Sequence, residues 1–109
     1  MKTVATAVFL SLFFSLSTFA EETVQINLIV RNGKFEPAEL KAPANKKIEL
    51  VIENKGPGAE EFESIELKRE KIIPMGRTVK INLGSLKKGV YPFFGEFHIE
   101  TAQGQLIVD

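Results

Sequence analysis

Apolar and polar positions alternate along three long stretches of the chain. Val24, Ile26, Leu28 and Val30 alternate with Gln25, Asn27 and Arg31; Ile48, Leu50 and Ile52 with Lys47, Glu49 and Glu53; Val79, Ile81 and Leu83 with Thr78, Lys80 and Asn82. A period of two sends successive side chains to opposite faces, so each stretch reads as a strand with one face on a core. Leu40 and Ala42, the region of Phe62 and Ile65, Tyr91 to Phe97, and Gln105 to Val108 read as further short strands. Turn formers separate them: Asn32-Gly33, Pro43-Ala44-Asn45, Lys55-Gly56-Pro57-Gly58, Pro74-Met75-Gly76 and Lys87-Lys88-Gly89. Lys34-Phe35-Glu36-Pro37 reads as an edge-strand turn, because proline blocks further pairing. The mixed charges from Ser64 to Lys71 suggest a helical turn. About seven strands at this spacing, without a long helical pattern, predict an all-β fold, a Greek-key β-sandwich.

The first twenty residues read differently. Lys2 precedes an apolar run from Val4 to Leu16, and Thr18-Phe19-Ala20 forms a small-x-small cleavage site, the pattern of a secretory signal peptide. The run is shorter than the roughly 20 residues of a spanning helix. The expected organisation is a signal peptide over 1–20 and one domain over 21–109, exported to the periplasm and soluble after cleavage. An uncleaved leader serving as an anchor is the minor alternative. The chain has no cysteine, so neither a disulfide staple nor a thiolate ligand is available. Its 14 basic and 14 acidic residues balance, and losing Lys2 leaves one acidic residue in excess. That balance argues against nucleic acid or an anionic membrane surface as partner.

The candidate chemistry is concentrated near the C-terminus and in one acidic segment. His98 is the only histidine, set in Tyr91-Pro-Phe-Phe-Gly-Glu-Phe-His-Ile-Glu100. An imidazole beside carboxylates at the end of an aromatic strand is a candidate metal ligand, with Glu96 as its companion. Were that strand extended, Glu96 and His98 would share a face about 6.6 Å apart, as would Glu61 and Glu63. Glu60, Glu61 and Glu63 crowd together and require compensation, by a metal ion or by Lys55, Lys68, Arg69 or Lys71. The plainer alternatives are a surface histidine and a solvated acidic loop around one buried Phe62. Met75 reads as a turn residue covering one end of the sandwich. No Ser/His/Asp, Cys/His, phosphate-loop or His-x-x-x-His arrangement is present, so hydrolase and nucleotide chemistry have no support.

Several segments, Lys34-Phe-Glu-Pro-Ala-Glu-Leu-Lys-Ala-Pro-Ala-Asn45, Leu50-Val-Ile-Glu-Asn-Lys-Gly56, Ala59-Glu-Glu-Phe-Glu-Ser64, Leu86-Lys-Lys-Gly-Val-Tyr91 and Gly104-Gln-Leu-Ile-Val108, resemble the cupredoxin-like domains of periplasmic metal-handling proteins. They are especially similar to the EfeO-type cupredoxin-like domain and its stand-alone relatives in bacterial iron-uptake operons. The resemblance implies a domain that binds copper, as Cu(II), or iron, and that assists oxidation or transfer of metal to a periplasmic iron-binding protein or a membrane permease. It places the first histidine of a blue-copper site at Glu60 or Glu61 and the cysteine at or next to Gly95, and no methionine follows His98. A type 1 centre needs a thiolate and two imidazoles. The ligand set it implies is therefore nitrogen and oxygen, drawn from Glu60, Glu61, Glu63, Glu96 and His98. A metal-free interaction or adhesion module is the alternative, and a redox enzyme acting alone is a third reading.

Overall fold

The computed structural model describes Ser11 and residues 22–109. The expected signal peptide, Ser11 aside, lies outside the described residues.

Nine strands form two facing sheets. In chain order they are β1 (Val24–Arg31), β2 (Lys34–Glu36), β3 (Glu39–Ala42), β4 (Lys47–Asn54), β5 (Glu60–Ser64), β6 (Arg69–Ile73), β7 (Thr78–Ser85), β8 (Gly89–Gly95) and β9 (Gln103–Val108). One sheet has the order β2-β1-β4-β7 and the other β3-β9-β8-β5-β6. Both are mixed: β1 runs parallel to β4 and β3 parallel to β9, and the remaining pairs are antiparallel. The period-two pattern becomes the core. Leu28 and Val30, Ile48, Leu50 and Ile52, and Ile81 and Leu83 point inward from the first sheet. Leu40, Phe62, Ile73, Phe93, Leu106 and Val108 meet them from the second. The rings of Phe35, Phe62 and Phe93 form a three-way cluster with centroids 5.1 to 6.2 Å apart, a spacing at which aromatic pairs add to simple burial.

Two local expectations change. The helical turn expected within Ser64 to Lys71 is a hairpin turn followed by a strand. Ser64 Oγ accepts a bond from the Leu67 N–H (3.1 Å) and donates to the Pro92 carbonyl (2.6 Å), while Lys68 takes a positive φ of 55° and its N–H bonds the Ile65 carbonyl. The chain reverses there, and Arg69–Ile73 pairs with β5. At the other site segment, the strand expected to reach Phe97 stops at Gly95. Glu96–His98 is a single 3-10 turn, and the loop after it is closed by the Thr101 and Ala102 N–H groups on the His98 carbonyl and the Gly95 N–H on the Ala102 carbonyl. Among the described residues no helix is long and apolar enough to cross a membrane.

Candidate functional site

Strand β5 carries Glu60-Glu61-Phe62-Glu63-Ser64, and the pleat divides these residues between two faces. Glu60, Phe62 and Ser64 point inward, with exposures of 0%, 0% and 2%. Glu61 and Glu63 point outward, toward the face that β6 shares. The five candidate ligands thus fall into two groups with different chemistry.

The first group is Glu60 with His98. The Glu60 carboxylate is fully buried, yet each of its oxygens has partners. Oε1 accepts the N–H groups of Glu61 and Phe97, both at 3.0 Å, and Oε2 lies 2.6 Å from His98 Nδ1. Charge-assisted bonds of this kind contribute about 1.5–3 kcal/mol each, and leaving such a group unpaired costs at least as much. Two glycines make the room. A Cβ on Gly95 would lie 2.7 Å from Glu60 Cδ and 2.7 Å from Ala102 Cβ, so only glycine admits the carboxylate at that point. Gly33, at φ +67° in the turn between β1 and β2, lies against the other side of the imidazole: a Cβ there would be 2.8 to 3.2 Å from His98 Cδ2, Cγ and Cβ. Its carbonyl accepts the Thr101 hydroxyl at 2.7 Å, tying the same loop down. The Asn32–Gly33 turn is held in turn by the Asn32 N–H bond to the Gly56 carbonyl. The loop containing Gly56 is organised by Asn54, buried at 1%, whose amide donates to the Gly58 and Ile73 carbonyls and accepts the Gly56 N–H. Sequence reasoning missed Asn54. Its only signal is a polar residue at an inward position of β4, just before a glycine-rich turn.

The second group lies on the outer face. Antiparallel pairing sets Glu63 opposite Glu70 and Glu61 opposite Ile72. Carboxylate oxygens of Glu61, Glu63 and Glu70 come within 4.8 Å of one another, and Glu96 sits close enough to bond Glu63. A hydrogen bond with Glu70, then burial and the charges of Glu70, Glu63 and Glu96, push Glu61 up to about 7. A hydrogen bond with Glu96, then burial and the charges of Glu96 and Glu70, likewise push Glu63 upward. Glu61 and Glu63 relieve the repulsion by holding their protons more tightly. Of the basic residues expected to compensate them, Lys68 and Arg69 line the same shallow depression as Glu63 and Glu70. Arg69 spends its guanidinium on the Leu67, Lys68 and Asn82 carbonyls. Sequence reasoning took Arg69-Glu70-Lys71 as a docking surface and did not count Glu70 among the ligands, because its place beside Glu61 and Glu63 follows only once β6 is known to pair with β5.

His98 and Glu96 do not share a strand face as expected, since both lie in the 3-10 turn. The structure brings Glu60 to His98, and Glu61, Glu63 and Glu96 together with Glu70. Phe97 and Ile99, on either side of His98, are half exposed.

The chain is 39% identical over 89 residues to an uncharacterized protein of Rickettsia prowazekii (strain Madrid E), across 82% of this chain and 71% of that protein. Among solved structures it is similar to auracyanin A, a "blue" copper protein from the green thermophilic photosynthetic bacterium Chloroflexus aurantiacus. The TM-score is 0.68 at 13% identity, over 81% of this chain and all of that one. It is also similar to a chain of a heme-copper terminal oxidase dimer, with a TM-score of 0.70 at 15% identity, over 86% of this chain and 69% of that one. At these identities the likeness shows the fold. The family model for the cupredoxin-like domain matches residues 4–108, and the chain belongs to that family.

Proposed function

We propose that this chain is a periplasmic metal-binding protein with a nitrogen-and-oxygen site. In this reading it takes copper or iron and serves as an accessory component of metal uptake, close in role to the EfeO-type domains it resembles. The observation that carries the reading is the buried Glu60 carboxylate at 2.6 Å from His98 Nδ1. A carboxylate on one imidazole nitrogen fixes the ring and leaves the other nitrogen to a metal, the usual arrangement behind metal-bound histidine. Export rests on the leader pattern of the first twenty residues.

A type 1 copper centre does not fit these residues. The chain has no cysteine, His98 is its one imidazole, and the space a side chain at Gly95 would enter holds Glu60. With nitrogen and oxygen ligands, bound Cu(II) gives a type 2 spectrum without an intense visible charge-transfer band. An intensely coloured copper protein would overturn this ligand set.

The test is isothermal titration of the protein with Cu(II) and with an Fe(III) chelate, repeated on His98→Ala and on Lys87→Ala at a distant turn. Binding that disappears in His98→Ala and persists in Lys87→Ala supports the reading. A second reading, a metal-free interaction module, is favoured by the half-exposed Phe97 and Ile99 beside His98. A melting temperature that does not move with chelator, Cu(II) or Fe(III) would select it.

A further inference from the structure

The imidazole of His98 is held between Glu60 and Gly33. Nδ1 meets Glu60 Oε2 at 2.6 Å, Gly33 covers the Cβ, Cγ and Cδ2 side, and the side chain still keeps 42% of its exposure. Among the described residues Nε2 has no hydrogen-bond partner. Glu60 Oε1 takes two backbone N–H groups, and Oε2 is left to the imidazole. With Oε2 as an acceptor too, the imidazole is the donor at Nδ1 and keeps its lone pair on Nε2. No carboxylate in the cluster of Glu61, Glu63 and Glu70 belongs to the same ligand group as His98. Among the described residues His98 belongs to no group of three or more His, Cys, Asp or Glu side chains close enough to hold an ion together, whereas sites that hold a free ion use three or four ligands.

We propose that Glu60 is a positioning residue that makes His98 a one-nitrogen site, which receives a metal ion already chelated by other ligands and offering one exchangeable position. This deepens the metal-binding reading and rests on it. It assigns Glu60 the orientation of the ligand rather than a bond to the metal, and it restricts the ligand class to partly coordinated metal complexes. A complex of that kind brings its own charge neutralisation and geometry, so the protein needs to contribute only one well-aimed donor. Phe97 and Ile99, the chain neighbours of His98, are half exposed.

Two measurements test it. The first needs no metal: nitrogen-15 NMR of the histidine ring above its titration range should show the proton on Nδ1 in the wild type. A proton on Nε2 would overturn the positioning role directly. The second compares aqueous Cu(II) with Cu(II)–iminodiacetate, which fills three copper positions, following the signals of His98 and taking His98→Ala as blank. A one-nitrogen site binds the two within about tenfold of each other, since the chelator displaces no protein ligand. Glu60→Gln should weaken the chelated complex about 10- to 100-fold, the usual consequence of losing a carboxylate behind a metal-bound histidine. Aqueous copper binding at His98 more than about a hundredfold tighter than the chelate would mean that the protein supplies further ligands, and the proposal would fall while metal binding stood. If neither form binds at His98, the metal reading and this proposal fail together, and the Nδ1 proton would remain only as a structural bond. Should Glu60→Gln not fold, the wild-type ring proton and the two copper affinities still decide.

Discussion

Glu60 and Glu61 are neighbours in one strand and have opposite fates. Glu60 faces inward, is wholly buried, and has every oxygen met by a donor: two main-chain N–H groups and an imidazole. Glu61 faces outward, is also largely buried at 9% exposure, and has other carboxyl groups for neighbours, so it is pushed up to about 7. Burial alone does not decide what a carboxylate does. The chemistry of the partners does: donors stabilise the charged form, and acceptors make it costly. The inward face thus presents a fixed, oriented imidazole, and the outward face a set of crowded acids in which Glu61 and Glu63 hold their protons more tightly.

The largest test of this contrast removes the inward carboxylate. Glu60→Ala should lower stability by about 3 kcal/mol, because it strands two buried N–H groups and the inner nitrogen of His98. The shift is read from urea midpoints at constant slope, and a loss below about 0.5 kcal/mol would mean that Glu60 does not hold this end of the sandwich. Gly95→Ala should come next, at about 2 kcal/mol, since the new methyl must displace either Glu60 or Ala102 in a packed interior. Gly95 has an ordinary φ of −96°, so the substitution probes contact and not backbone strain. If Gly95→Ala proved as stable as wild type, the close approach of Glu60 to the Gly95 backbone would be wrong.

The smallest effect lies on the outer face and has the opposite sign. Between the ordinary value of 4.5 and about 7, Glu61 keeps in the folded state a proton that the unfolded chain has released. The folded state then binds more protons, so stability falls as pH rises through that window. Glu63, pushed the same way, adds to the trend. Glu61→Gln remains neutral at every pH. Its melting temperature should match the wild type near pH 4 and exceed it at pH 8, giving a flatter profile. A melting temperature below wild type at pH 8 would show that the Glu61 charge is compensated and that the two faces of β5 do not differ as described.

The alternation of residues along Val24 to Val30, Ile48 to Ile52 and Val79 to Leu83 determined the sandwich by itself, because a period of two leaves a strand one buried face and one solvated face whatever its partners are. The turn glycines and prolines likewise marked most boundaries. Strand β6 escaped, since Arg69-Glu70-Lys71-Ile72-Ile73 is largely exposed at a sheet edge and carries little alternation to read. Only the tertiary structure decided how the site is divided. In the sequence Glu60, Glu61, Glu63, Glu96 and His98 form one cluster of metal-ligating types. In the fold the pleat of β5 turns Glu60 away from its neighbours, and a 3-10 turn after Gly95 brings His98 back onto it across 38 positions of chain. That contact depends on space left by Gly33 and Gly95, on a loop anchored by Asn54, and on β6 bringing Glu70 to the other face. Composition names the residues that can bind or share a proton; which nitrogen is left free depends on long-range packing that no local pattern encodes.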